Sequence, residues 1–256
     1  QQFRSLLGAY CSITQVWLAV YIVALQRVAA KPRHEHITRL NRVVRIAQQH
    51  KAPTVFRHMN CSNEIVVYSD AAFRKEDEKG YSMKGAVYLR RGTAGKEIVY
   101  HLLTAVSKSQ SLVTRSTYAA ELLAAASAAD QSVPIAITLQ EFASGKMSAH
   151  WMKELHTNGG YMYAIELYVD ARSVYDSLTS LMPKPPSEAS LLGHLLWLRE
   201  LMSKGTVKQL SWIDTRDMIA DGMTKGAIKR SQFCEAMAGN ISLKPEIGRA
   251  SCRERV

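Results

Sequence analysis

The sequence contains little cysteine, and this shortage excludes two classes of protein. Its four cysteines, Cys11, Cys61, Cys234 and Cys252, are scattered through 256 residues and form no CxxC pair. A small disulfide-stapled domain and a zinc site with cysteine ligands both need cysteines at close spacing. The sequence therefore predicts a fold that is held together by a hydrophobic core, for which 47% apolar residues are sufficient.

Long apolar runs are also lacking. The most apolar segment, VWLAVYIVAL at 16–25, is ten residues long, about half of the roughly 20 residues that a membrane-spanning helix needs. The segment predicts a buried helix, and we expect no membrane partner. The chain shows no secretory signal at its start, where a missing Met suggests a piece of a longer protein.

Positive charge is abundant and unevenly distributed. The net charge is +11, and residues 1–64 contain nine Lys or Arg against two Asp or Glu, whereas residues 65–230 contain 20 against 17. A basic leading segment beside a nearly balanced region favours a polyanionic partner, of which nucleic acid is the commonest. A solvated basic face explains the same composition.

The last ten residues, IGRASCRERV at 247–256, match the in-frame translation of a common short-read sequencing adapter. We expect this tail not to be native and leave it out of the fold prediction.

Hydrophobic periodicity predicts helices over residues 3–50, including an amphipathic helix after Pro32 that carries Arg39, Arg42 and Arg45. Strands are predicted at 64–73, 79–92, 96–105, 163–170 and 206–213, and helices at 116–130, 171–181, 187–205 and 217–228. Residues 131–160 give no clear pattern. This order predicts an α/β fold: a mixed five-stranded sheet, with three antiparallel strands and then two parallel ones, and helices on both faces.

Four acidic residues stand at places where a sheet of this kind collects functional groups. Asp70 and Asp170 end two apolar strands, Glu121 lies among small residues in an Ala-rich helix, and Asp221 lies near the end of the chain. Carboxylates that converge repel each other without a cation. Their hard oxygen ligands suit Mg²⁺ or Mn²⁺, and two such ions can catalyse phosphodiester hydrolysis.

Four short motifs surround these acids: YSDAAF, STYAAELLA, YVDARSV and IADGMTKG. In order and spacing they resemble the ribonuclease H domain of copia-type long-terminal-repeat retrotransposon polyproteins. The basic leading segment, from FRSLLGAY to RLNRVVRI, is similar to the end of the family's reverse transcriptase. The resemblance covers about residues 3–230. Each motif alone is weak, and their order is the specific signal.

The resemblance implies both an organisation and an activity. Residues 1–60 would be the helical, thumb- or connection-like end of a reverse transcriptase, and residues 64–230 a ribonuclease H-like domain. The activity would be endonucleolytic cleavage of the RNA strand of RNA–DNA hybrids during retrotransposon reverse transcription. The partners would be the hybrid and the upstream polymerase domain, in a cytoplasmic particle inside the cell.

The resemblance also implies the site residues. Asp70, Glu121, Asp170 and Asp221 would be the catalytic residues and would hold two Mg²⁺ ions, for which Mn²⁺ can substitute. Candidate contacts to the nucleic acid are Lys108, Arg115, Arg172 and Lys225. The sequence departs from the family's pattern at Ala72, Ala119 and Ala171. None of these is one of the four metal positions. The loop DTRDM lacks the His that many cellular ribonucleases H use in product release.

Two alternatives remain open. The chain could be a non-catalytic module from a decayed retroelement that binds hybrid or supports a polymerase, or another two-metal nuclease of the same fold.

The stretch WIDTRDMIADGMTKG raises a further question, because it holds three aspartates within eight residues. The family pattern assigns the metal to Asp221. Asp214 and Asp217 are expected to cap the last helix.

Overall fold

The computed structural model describes residues 1–13, 16–50, 54–73, 81–227 and 231–239. The adapter-like tail at 247–256 lies outside these ranges.

The chain begins with three helices, as the apolar periodicity predicts. They are α1 (Gln2–Ile13), α2 (Ala19–Gln26), which follows a 3-10 turn at Val16–Leu18, and α3 (His34–Gln49). Trp17, Leu18 and Ile22, in the apolar segment at 16–25, are buried. The prediction of a buried helix there is confirmed.

A five-stranded sheet forms the centre of the molecule. Its strands are β1 (Cys61–Ala72), β2 (Tyr81–Ala94), β3 (Glu97–Val113), β4 (Ala164–Val169) and β5 (Val207–Trp212). The order across the sheet is β3-β2-β1-β4-β5. The pairs β1–β2 and β2–β3 are antiparallel, whereas β1–β4 and β4–β5 are parallel.

In the part of the chain that the structure describes, six further α-helices follow β3. They are α4 (Thr117–Ser144), α5 (Ala149–Asn158), α6 (Arg172–Thr179), α7 (Leu192–Ser203), α8 (Asp221–Thr224) and α9 (Ser231–Met237). Helix α4 begins where Ser116 Oγ accepts a hydrogen bond from the Ala119 amide and caps the helix.

Alternate residues of β1 belong to two separate hydrophobic clusters, as expected for a strand that is covered on both faces. Ile65 and Val67 pack with residues of α4, α6 and α7. Val66 and Tyr68 pack with residues of α1, α2, α3, α9 and the segment at 218–223. The predicted fold class, a mixed five-stranded sheet with helices on both faces, is therefore confirmed.

The N-terminal helices contribute directly to the second of these clusters. Phe3, Leu7 and Leu40 are buried in it beside residues of the sheet. Removing residues 1–50 would expose this apolar surface, so a truncation cannot separate the charge of the segment from its packing. The division into domains at residue 60 stays a prediction.

Two elements extend beyond their predicted ends. Strand β3 continues to Val113 instead of ending at 105, and α4 continues through Pro134 to Ser144, across residues for which no clear pattern was found in the sequence. A proline inside a helix removes one backbone hydrogen bond. Neighbouring buried residues such as Ser132 and Ala136 hold the chain in place there.

The prediction of one helix over 217–228 is wrong. Residues Thr215–Asp217 form a 3-10 turn, and α8 begins only at Asp221 and ends at Thr224. Between them, Met218, Ile219 and Ala220 are all buried. Burial of three consecutive side chains does not fit one face of a helix, so packing overrides the helical propensity of this stretch.

Within the described ranges, α4 is the one helix long and apolar enough to span a membrane by length and composition. Its alanines pack on the sheet, where Ala119, Ala125 and Ala129 are fully buried. A core helix passes the same test, so the expectation of no membrane partner stays a prediction.

Candidate functional site

Asp70 lies near the end of β1, the central strand of the sheet, and is only 1% exposed. Its carboxylate accepts a hydrogen bond from the Thr224 hydroxyl of α8. Residue 85 of β2 pairs directly with Asp70 across the antiparallel ladder. The sheet and α8 together therefore fix the position of this carboxylate.

Glu121 reaches the same place from the first turns of α4 and is 8% exposed. Its Oε2 accepts a hydrogen bond of 3.1 Å from the backbone amide of Ala71. This bond ties the helix to the end of β1, beside Asp70. Glu121 therefore points inward, toward the end of β1.

Asp170 follows β4 directly, and β4 runs parallel to β1. The Trp212 indole donates a hydrogen bond of 2.9 Å to the Asp170 carbonyl, which fixes the chain at this point. One ligand oxygen from each of Asp70, Glu121 and Asp170 can be chosen so that all three lie within 4.8 Å of one another. Three carboxylates, two at the carboxyl ends of strands β1 and β4 and one on helix α4, thus converge at one end of the inner strands of the sheet.

Asp221, the fourth predicted ligand, is 7% exposed and begins α8. Its Oδ1 lies 2.5 Å from the Lys225 ammonium, one helical turn later. The same ammonium lies 3.7 Å from Asp70 Oδ1. Asp221 is therefore close to the other acids and paired with a lysine, and it is not part of the group of three that lies within 4.8 Å.

The electrostatics of the site follow from burial and crowding. Burial raises the pKa of Glu121 to about 9, and the charges of Asp70 and Asp170 add to the effect. Burial likewise raises the pKa of Asp70 to about 7, against the opposing influence of Lys225 and Thr224. The pKa of Asp170 is also raised, mainly by burial, although a hydrogen bond with the Thr215 side chain opposes this. Protonated acids or a bound cation would relieve the repulsion.

Gly85 allows α8 to approach the sheet, a role that the sequence analysis missed. A Cβ at this position would lie 2.6 Å from the Met223 Cβ and 2.9 Å from the Ala220 carbonyl oxygen. Ser107, the partner of Gly85 on β3, donates a hydrogen bond of 2.6 Å to the Met223 carbonyl. A glycine inside a predicted strand marks such close approaches and was the available signal.

The four candidate contacts to nucleic acid do not share one environment. Lys108 on β3 and Arg115 before α4 are exposed. Arg172 is exposed at the start of α6, two residues after Asp170, and its guanidinium lies 5.2 Å from the centre of the Trp212 ring. Lys225 instead turns toward the carboxylates. Lys84, opposite Lys108 in the sheet, was not predicted and donates to the Ser127 hydroxyl at 2.6 Å.

The two remaining aspartates of WIDTRDMIADGMTKG, Asp214 and Asp217, lie outside the cluster. Asp214 caps the 3-10 turn, where its carboxylate accepts hydrogen bonds from the amide and the side chain of Arg216. Asp217 is the last residue of that turn. The prediction that Asp214 and Asp217 cap the predicted last helix is wrong, because Asp214 caps the 3-10 turn and the residue before α8 is Ala220.

The raised pKa values predict how the stability of the metal-free protein depends on pH. The ordinary values are 3.8 for Asp70 and 4.5 for Glu121, and the folded values are about 7 and about 9. The folded state therefore holds more protons than the unfolded state between these limits. These two groups should therefore make its free energy of unfolding fall as the pH rises from about 4 to about 9.

Urea unfolding at several pH values, in the presence of EDTA, measures this dependence. The variant with both Asp70→Asn and Glu121→Gln should show a flatter profile over the same range, because neither new side chain ionises. Equal slopes for the variant and the wild type would contradict the assignment.

Comparisons with known proteins give limited similarity. No family model matches the chain, and no curated protein matches it. Among solved structures, it is similar to LC11-RNase H1 in complex with an RNA/DNA hybrid, with 16% identity over 66% of this chain and 99% of that one and a TM-score of 0.39. It is also similar to RNase H1 from the halophilic archaeon Halobacterium salinarum NRC-1, with 15% identity over 68% and 98% of the two chains and a TM-score of 0.37. The finding that bears on function is the convergence of three carboxylates, of which Asp70 and Glu121 are buried.

Proposed function

We propose that this protein is a metal-dependent endonuclease that cleaves the RNA strand of RNA–DNA hybrids. One observation carries the proposal: Asp70, Glu121 and Asp170 converge from two parallel strands and a helix, with ligand oxygens within 4.8 Å. Buried carboxylates at such spacing are costly unless a cation or protons compensate them. Oxygen ligands of this kind fit Mg²⁺ or Mn²⁺.

The residues of the chain hold and orient the site. Asp70, Glu121 and Asp170 would bind the metal, and Asp221 would join them as the fourth ligand of a two-ion centre. The metal, when bound, would activate a water and stabilise the leaving oxygen of a phosphodiester. Thr224 and the Ala71 amide keep two of the carboxylates in place. Arg172, which is exposed two residues after Asp170, would contact a backbone phosphate.

The choice of an RNA–DNA hybrid as the substrate rests on the motif resemblance and on the basic leading segment. On the same basis we propose that the chain derives from a copia-type retrotransposon polyprotein. It would act there beside an upstream reverse transcriptase domain, in a cytoplasmic particle inside the cell.

A substrate panel tests this proposal. The purified full chain would be incubated with Mg²⁺ and an end-labelled RNA–DNA hybrid, duplex DNA, duplex RNA or single-stranded RNA. We expect cleavage of the RNA within the hybrid, intact duplex DNA, and loss of activity in EDTA. Equal cleavage of duplex DNA would favour another two-metal nuclease, and activity in EDTA would exclude metal-dependent hydrolysis.

One observation favours a second candidate, a non-catalytic module that binds hybrid or supports a polymerase. Lys225 lies 2.5 Å from Asp221 and already compensates part of the negative charge without any metal. Hybrid binding in the same panel, without cleavage under any metal condition, would select this alternative.

The basic face of α3 offers a prediction about affinity. Arg39, Arg42 and Arg45 are exposed on this helix, which lies on one side of the sheet. If they contact phosphates, the variant with all three changed to Gln should bind hybrid more weakly at low salt. Its slope of log affinity against log salt should be shallower by roughly 0.7–0.9 per lost contact. Fluorescence anisotropy across a salt series measures the slope, and an unchanged slope would remove this surface from the binding site.

A further inference from the structure

We propose that the Lys225 ammonium is a built-in counter-cation of the carboxylate cluster. It compensates part of the cluster's negative charge when no metal is bound, and it competes with a divalent ion for Asp221 and Asp70. The inference rests on the proposed function, because it concerns the same metal site. It replaces the simpler expectation, drawn from the sequence, that Lys225 contacts a nucleic-acid phosphate.

The geometry places the Lys225 ammonium between two of the proposed ligands. It lies 2.5 Å from Asp221 Oδ1 and 3.7 Å from Asp70 Oδ1. Both carboxylates are buried, with side chains 10% and 1% exposed. A cation that binds either oxygen directly would have to displace the ammonium or share the oxygen with it, and like charges at this distance repel.

Hydrogen bonds hold the backbone around Lys225 in place. The Lys225 amide donates to the Asp221 carbonyl at 2.8 Å. One residue later, the Tyr21 hydroxyl of α2 donates to the Gly226 carbonyl at 2.6 Å. The lysine side chain is nevertheless 41% exposed. The ammonium can therefore swing toward solvent on its flexible stem, while the chain that carries it stays anchored to the N-terminal helices.

The surroundings of Lys225 favour its charged form. Burial lowers its pKa, but the hydrogen bond to Asp221 and the charges of Asp70 and Asp221 outweigh burial and raise the pKa above its ordinary value. In return, Lys225 lowers the pKa values of Asp70 and Glu121. Removal of the ammonium would leave the repulsion between the carboxylates less compensated, and the carboxylates would attract a divalent ion more strongly.

The test compares Mn²⁺ binding by isothermal titration calorimetry in the full chain and three variants. Lys225→Met removes the cation, and Lys225→Arg keeps its charge. Lys204→Met is the matched control, because Lys204 forms an equivalent ion pair with Glu200 at 2.5 Å, also one turn apart, on α7. Thermal melting with and without Mn²⁺ is measured in parallel.

We expect Lys225→Met to bind Mn²⁺ at least about tenfold more tightly than the wild type. Its metal-free form should melt at a lower temperature, and saturating Mn²⁺ should reverse that deficit. Lys225→Arg and Lys204→Met should bind Mn²⁺ as the wild type does.

The outcomes separate this inference from the proposed function. Equal or weaker Mn²⁺ affinity in Lys225→Met would overturn the inference and leave the metal site standing. If Lys225→Met bound Mn²⁺ and the wild type did not, the inference would be supported, and the metal-dependent activity proposed for the wild type would be contradicted. Absence of binding in every variant would overturn both.

Discussion

Asp70→Asn should reduce cleavage of an RNA–DNA hybrid by roughly two orders of magnitude or more. Asp70 belongs to the group of three carboxylates and is the most deeply buried of them. An amide oxygen can still accept the hydrogen bond from Thr224, so the fold should survive, whereas the negative charge for the metal is lost. Single-turnover cleavage rates across a Mg²⁺ titration measure the effect, and melting curves establish that the variant is folded.

Asp214→Asn is the matched control for this change. Asp214 is exposed and caps the 3-10 turn, and Asn caps as well as Asp does, so both rate and stability should stay near those of the wild type. A folded Asp70→Asn variant that cleaves at the wild-type rate would show that the carboxylate cluster is not the catalytic centre.

Gly85→Ala should destabilise the protein by about 1–3 kcal/mol and disturb the site at the same time. The added methyl group would meet the Met223 Cβ at 2.6 Å and the Ala220 carbonyl oxygen at 2.9 Å, so α8 must move away from β2. That movement pulls Thr224 away from Asp70, and Asp221 and Lys225 move with it. We expect lower urea stability and, among molecules that remain folded, a weaker response of the melting temperature to Mg²⁺.

Gly193→Ala provides the comparison. Gly193 lies in α7, and a Cβ there meets nothing within 4 Å, so this variant should be as stable as the wild type or slightly more stable. Equal stabilities for Gly85→Ala and Gly193→Ala would mean that α8 does not pack as closely on the sheet as the structure indicates.

The sequence was most informative where one local pattern decides the structure. The apolar runs IVVYSD and IELYVD predicted two strands and the acids that end them, because strands that are buried on both faces consist of nearly continuous apolar residues. Strand β4 also carries Glu166, which is 4% exposed. Glu166 is bound by Arg91 at 2.8 Å, whereas Asp170 belongs to the carboxylate cluster. This difference between the acid within β4 and the acid that directly follows it is visible only in three dimensions.

Local patterns failed where tertiary packing sets the outcome. The three aspartates after β5 satisfied helical spacing, yet Asp214 and Asp221 belong to two separate short elements. Lys225 was predicted from the sequence to contact nucleic acid, whereas its contacts with Asp70 and Asp221 depend on how α8 lies against β2. That arrangement in turn needs Gly85, which is 140 residues away from Lys225 in the sequence. No short window of sequence holds that information.

The central claim, that the buried carboxylates are a divalent-metal centre, is tested most directly by anomalous diffraction from crystals of the full chain soaked in Mn²⁺. The account predicts a manganese peak bound by Asp70, Glu121 and Asp170, and the absence of that peak in crystals of Asp70→Asn. Manganese bound elsewhere on the protein, with ordered but metal-free carboxylates at these three positions, would contradict it.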